Sequence, residues 1–345
     1  MTCFLILLSC RMQAQYIIDS LQTLLNNVKE DTSRINTLTE LSKQYVNIAN
    51  YKLAMHYAVQ AQQQSQSKNY QKGIAASYHC ISNIYVMQGA YEQALDFCLK
   101  SLVIKEKLGD KKGIGGSYNN IGNIYWYQGN YELALNNYQK SLKIREEIGD
   151  KPGIAASYNN FGNIYEKQGN YEKALENHLK SLKMKEEIGD KFGIGASYNN
   201  IGNIYFSRND YPKALDNYMK SLKVREEIDD KQGIAMSYNN IGGVYQTQEK
   251  FEKALENHFK SLKIKEDIGD KKGIAYSYSN IGSIYTSQKE YKKALDNQLK
   301  SLKISETIGD SQLIAATYNH VGTIYMNQNK FDDALRYHNQ SLVLN

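Results

Sequence analysis

A forty-residue period runs through this chain and limits what it can fold into. Ser-Tyr-Asn-Asn-Ile-Gly-Asn-Ile-Tyr stands at 117–125 and again at 197–205, with a Phe-containing copy at 157–165 between them. The same frame returns at 77–85, 237–245, 277–285 and 317–325, and a more divergent copy occupies 37–45. Units therefore begin near Ile35, Ala75, Gly115, Ala155, Gly195, Ala235, Ala275 and Ala315. A chain built this way stacks one small unit on the next and needs no single large core, so its 345 residues do not imply two or three globular domains.

Each unit reads as two helices. In the third, Tyr118, Ile121, Gly122 and Tyr125 recur at the three- and four-residue spacing of one helical face. Gln128-Gly129-Asn130 breaks the pattern as a turn. The second helix carries Tyr131, Ala134, Leu135, Tyr138, Leu142, Ile144 and Ile148 and stops at Gly149, since glycine tolerates the left-handed conformation that ends a helix. Asp150 then caps the next first helix, with Pro152 in its opening turn. Only 2 prolines occur in the chain, which suits long uninterrupted helices because a proline inside one costs about 3 kcal/mol. Gly122 and Ala134 are small where the two helices of a pair must approach closely.

Tyr118, Ile121, Gly122, Tyr125, Tyr131, Ala134 and Tyr138 have the spacing of the tetratricopeptide motif, and the chain resembles that family from Ile35 onward. It departs in carrying Tyr for the usual Trp and Glu146 where a helix-ending proline is common. Units of forty residues are similar to those of Leu-Gly-Asn repeat adaptors and kinesin light chains. The stretch YIIDSLQTLLNNVKEDTSRINTLTELS also resembles exported bacterial tetratricopeptide proteins, especially Bacteroidetes-like sensor input regions. The resemblance implies an all-α fold, a right-handed α-solenoid of tandem antiparallel helix pairs. The expected organisation is a signal peptide over 1–15, an N-terminal helix and connection over 16–34, and eight repeats over 35–345, the last incomplete.

Cys3 to Leu8 is an apolar run too short to span a membrane, which needs about 20 residues. It reads as an export signal, although a basic flank is missing. Leu7-Leu8-Ser9-Cys10 resembles a lipobox, so membrane attachment is expected only if Cys10 is lipidated or the chain continues into a membrane helix. The periplasm or cell envelope of a bacterium is the expected location, or the cytoplasm if the segment is not a signal. Of 4 cysteines only Cys80 and Cys98 lie in the repeats, without metal-ligand spacing, so no disulfide framework, metal or cofactor is expected.

The net charge of +6 is spread thinly. Residues 115–154 balance Lys140, Lys143, Arg145 and Lys151 against Glu132, Glu146, Glu147 and Asp150. Interleaved signs argue against nucleic acid as a partner. The lysine rows at 140, 180, 220, 260 and 300 and at 143, 183, 223, 263 and 303 read as a solvated face, with Glu147, Glu187 and Glu227 nearby. The tyrosine rows at 118, 158, 198 and 238 and at 125, 165, 205 and 245 read as core.

By the resemblance, first helices line a concave groove, and this places there Asn119, Asn120, Asn123, Asn159, Asn160, Asn163, Asn199, Asn200 and Asn203. An amide both donates and accepts, so such a row suits the backbone of an extended peptide. The alternative is that these asparagines link adjacent repeats or face water. Trp126 and Phe206 stand where other units hold Val86, Glu166, Gln246, Thr286 and Met326, with Tyr127 next to Trp126, and they read either as anchors for a ligand side chain or as local packing. No phosphate-binding glycine loop, nucleophile elbow or paired-carboxylate constellation stands out from the repeat, and an enzyme is not expected. The expected function is a scaffold that binds a peptide or partner protein. The alternatives are the input region of a larger signalling protein (histidine kinase, cyclase or transcription regulator), or a self-assembling scaffold.

Overall fold

The computed structural model describes residues 16–28 and 32–344, so the expected export signal, with Cys3 and Cys10, lies outside the described residues. Helices α1 (16–27), α2 (Thr32–Asn47), α3 (Tyr51–Ser67), α4 (Gln71–Met87), α5 (Tyr91–Lys107), α6 (Lys111–Tyr127), α7 (Tyr131–Glu147), α8 (Lys151–Lys167) and α9 (Tyr171–Glu187) form one compact unit. A second unit begins at Asp190 and holds α10 (Lys191–Ser207), α11 (Tyr211–Glu227), α12 (Lys231–Thr247), α13 (Phe251–Ile268), α14 (Lys271–Ser287), α15 (Tyr291–Ile308), α16 (Ser311–Asn327) and α17 (Phe331–Leu344). Among the described residues there is no strand. The fold is an all-α solenoid of packed helix pairs.

Local chemistry fixes each boundary. Asp110 and Asp150 cap α6 and α8 by accepting from the backbone N–H of Gly113 and Gly153, and Asn130 caps α7 through Leu133. Gly129 and Gly149 take the left-handed conformation, at φ of 75° and 68°. In the second unit the turns inside the helix pairs use Asn209, Glu249, Lys289 and Asn329, at positive φ of 57–61°.

Within a pair the helices run antiparallel: Gly122 of α6 meets Tyr138 of α7, and Gly115 farther back meets Ser141 farther forward. Ser141 Oγ donates to the Gly115 carbonyl at 2.7 Å, and Ser181, Ser221 and Ser261 repeat the bond to residues 155, 195 and 235. The fully buried layer is aliphatic, with Ile124, Ala134, Ile164, Ala174, Ile204 and Ala214 all at zero exposure. Losing one such isoleucine to alanine costs about 2–5 kcal/mol. The tyrosines expected in the core pack at its rim instead. Tyr125, Tyr158 and Tyr165 are half-buried against the aliphatic cluster. Helix α1 covers the front of its unit, burying Ile18 and Leu25 beside Ile35, Leu38 and Leu41.

Candidate peptide-binding groove

The first-helix amides fall into two structural classes. In the first unit, Asn160 donates to the Asn119 side-chain carbonyl at 3.0 Å, and Asn120 meets His79 Nδ1 at 3.2 Å. In the second, Asn240 donates to Asn199 at 2.7 Å and Asn280 to Asn239 at 3.0 Å. Every one of these bonds joins residues forty-one apart, so the row stitches neighbouring repeats together. Asn159 and Asn200 are engaged as well. The amides remain half-buried apart from Asn199, which is buried.

The second class lies one turn farther along. Asn123 accepts from the Tyr138 hydroxyl at 2.7 Å, and Asn203 accepts from Tyr218 at 2.8 Å. Asn163 has no corresponding bond, because His178 stands where Tyr138 and Tyr218 do and its ring is too short to reach. Asn123, Trp126, Asn160 and Asn163 come together with Tyr127 and Tyr138 around one cavity of about 240 Å³. The indole N–H of Trp126 is buried at its wall without a partner among the described residues. Tyr127 is 52 % exposed and stacks on Tyr91 at 6.0 Å.

Phe206, in the second unit, is half-buried and packs on Tyr211 at 5.9 Å between ring centres. Trp126 likewise packs on the α7–α8 cluster. Both rings therefore fill space within their units, and Trp126 also borders the cavity.

Each lysine of the outer row at 140, 180, 220, 260 and 300 rides over a tyrosine ring of the preceding helix, Lys180 over Tyr158 at 5.5 Å for example. Lys180, Lys220, Lys260 and Lys300 also pair with an acidic residue four positions earlier. The sequence reading missed a different row, that of Lys105, Arg145, Lys185, Arg225 and Lys265. Arg225 is 4 % exposed and Lys185 9 %, although both sit among surface-like charges in the sequence. The two arginines neutralise themselves locally. Arg225 pairs with Asp230, and Arg145 donates to the Gly153 carbonyl at 2.6 Å with Asp150 at 3.9 Å. The lysines are shorter, and among the described residues Lys105 and Lys265 each hydrogen-bond only a serine hydroxyl, Ser117 or Ser277, at 2.9 Å. A strictly forty-residue recurrence beneath the buried Ser117, Ser157 and Ser277 was the signal available.

Cys80 and Cys98 are free and buried, and burial pushes both thiols up to about 11. Among the described residues no cluster of His, Cys, Asp or Glu could hold a metal ion, and no helix is long and apolar enough to cross a membrane.

Comparison with known proteins agrees with this architecture. The tetratricopeptide repeat model matches at residues 73–147, 113–187, 193–267 and 273–343. No curated protein matches the sequence. Among solved structures, aspartyl phosphate phosphatase F from Bacillus subtilis is similar over 99% of this chain and 91% of its own, with a TM-score of 0.67 and 15% identity. A Rap protein complexed with competence and sporulation factor is similar over 96% and 92%, with a TM-score of 0.64 and 13% identity. A signal transduction ATPase with numerous domains and a tetratricopeptide repeat sensor, from Pyrococcus horikoshii, matches 88% of this chain but about half of its own (52%), with a TM-score of 0.66 and 19% identity. At these identities the likeness is one of fold. The repeat model matches well over half of the sequence, and the chain belongs to the tetratricopeptide repeat family.

Proposed function

We propose that this protein is an interaction scaffold that holds an extended peptide segment of a partner against the first helices of its third and fourth repeats. It works by equilibrium binding on a preformed surface and not by catalysis. The observation that carries this reading is the cavity where Asn163, whose amide makes no hydrogen bond among the described residues, meets Asn123, Asn160 and Trp126. A side-chain amide there can donate to a peptide carbonyl and accept from a peptide N–H, so it grips backbone whatever the guest's sequence. Tyr127 and Trp126 offer aromatic surface to a neighbouring guest side chain. The likeness to a Rap protein solved with a bound factor supports a scaffold that receives a partner.

The test is an array of end-blocked decapeptides probed with the full chain. Asn163→Ala and Trp126→Ala should each weaken the selected peptides about tenfold, the worth of one or two hydrogen bonds or an aromatic contact. Circular dichroism of Asn163→Ala should stay as in the parent chain. Undiminished binding by both variants would remove the assignment.

A second reading, the input region of a larger signalling protein, is favoured by the match to about half of a multidomain ATPase that carries a tetratricopeptide sensor. Reading the gene beyond Asn345 tests it, since an in-frame output module is required. We also propose export to the cell envelope, on the strength of the apolar run from Cys3 to Leu8. Amino-terminal sequencing of the protein from its native source should find residues 1–15 removed or Cys10 blocked by lipid, and an intact Met1 would contradict it.

A further inference from the structure

A cavity of about 720 Å³ lies in the second unit, at the N-terminal ends of α10, α12 and α14. That is within the range of about 300–1,000 Å³ over which pockets bury small ligands or ligand side chains. Its walls are apolar where the repeat is otherwise small or polar. Phe192, Met236 and Tyr276 are 63 %, 40 % and 44 % exposed there. The positions matching Met236 and Tyr276 in other units hold Gly116, Ala156, Ala196 and Ala316. Asn239 and Asn280, already bonded to each other, stand at the same cavity.

The charges around it do not balance evenly. Arg225 is paired with Asp230 and lies under the Phe192 ring, 5.9 Å from its centre. Lys272 is paired with Asp310 at 2.7 Å. Lys265 makes one hydrogen bond, to the neutral Ser277 hydroxyl, and among the described residues no ion pair. Asp270 is spent as the cap of α14 and attracts the ammonium from beyond ion-pair distance. Burial holds the Lys265 pKa below its usual value, the mark of a cation short of compensation. Arginine at this register swings to its own capping aspartate, as Arg225 does to Asp230, whereas lysine leaves two of its three donors unspent.

We propose that this cavity receives an acidic side chain flanked by aromatic or large aliphatic residues in an extended peptide. The carboxylate goes to Lys265 Nζ, the flanking side chains go against Phe192, Met236 and Tyr276, and the unspent Asn239 N–H and Asn280 carbonyl take the peptide backbone. This goes beyond the groove reading above and rests on other residues in the other unit, so either can fail alone.

The probe is a fluorescein-labelled, end-blocked peptide, Ser-Gly-Phe-Glu-Phe-Gly-Ser, with its Gln counterpart as control, titrated into the full chain by anisotropy. The Glu peptide should bind about tenfold or more tightly than the Gln peptide, as a hydrogen bond between charged groups exceeds a neutral one. Lys265→Met should erase that preference while leaving the helical signal intact. Lys265→Arg should also reduce it, because the guanidinium turns to Asp270. Tyr276→Ala should weaken both peptides equally, and Asn163→Ala should change neither. Equal or absent binding of the two peptides to the parent chain overturns the proposal, as does a preference that survives Lys265→Met.

Discussion

Tyr138 and His178 occupy the same register one repeat apart, and they solve one packing problem in two ways. Both fill the gap left by a glycine on the facing helix, Gly122 for the tyrosine and Gly162 for the histidine. The tyrosine is long enough to pass its hydroxyl through to Asn123, so a groove amide is tied from behind. The histidine ends short, and both ring nitrogens are buried without a partner among the described residues. The packing returns in the second unit with Tyr218 against Gly202 and His258 against Gly242, although Gly243 puts no amide in front of His258. Packing dictates the size of the filler, while its polar end decides whether the amide in front of it is free for a guest.

The largest effect expected from this contrast is on acid stability. Burial holds His178 and His258 at about 4, below the 6.5 of an unperturbed imidazole. Between those values the unfolded state binds more protons than the folded one, so stability is fully present above pH 6.5 and falls as the pH drops towards 4. The loss is about 3 kcal/mol for each histidine across that window. Urea midpoints from pH 7 to 4.5 should therefore fall steeply, and His178→Tyr with His258→Tyr should flatten the slope. A slope unchanged by the pair would show that the imidazoles titrate normally.

Next in size is the gap itself. A Cβ on Gly122 would stand 2.5 Å from the Tyr138 ring, and Gly122→Ala should cost about 2–3 kcal/mol in overpacking. Gly243, on the same helix as Gly242 but facing open space, is the control. Gly243→Ala should be neutral or stabilise by up to about 1 kcal/mol, through helix propensity alone. Thermal melts of the two variants in parallel would test the pair, and equal shifts would dismiss the close approach as its cause. The smallest effect belongs to Tyr138→Phe, which removes the bond to Asn123 at a cost of about 1 kcal/mol. The same change should release the Asn123 amide and strengthen peptide binding at the neighbouring cavity, measured with the decapeptides selected on the array.

Much of the fold could be read from Ser117–Tyr125 and its copies, because helical spacing and capping act within a few residues of each other. The Gly149 turn, the Asp150 cap and the close approach at Gly122 are all local consequences of residue type. The asparagine row could be recognised as a row, and linking of adjacent repeats was one of its open readings, but which amide meets which could not be read. That depends on a forty-one-residue offset between facing side chains where the sequence repeats every forty, an offset set by how one helix lies on the next. The buried cations were hidden by their company, since Arg225 is followed at once by Glu226 and Glu227 and reads as surface. The α10–α14 cavity needs three departures from the repeat to coincide in space, and Phe192, Met236 and Tyr276 are forty or more positions apart.

The amide stitches also carry a sense of direction. In each asparagine pair the later residue gives its N–H and the earlier one supplies the oxygen, at 160 to 119, 240 to 199 and 280 to 239. Within each unit the row is therefore an arrow and not a symmetric comb. A strand laid along it would meet the donors and acceptors in one order, and in the opposite order if turned end for end. If the proposed peptide does lie on this row, its backbone direction would be felt before its side chains are.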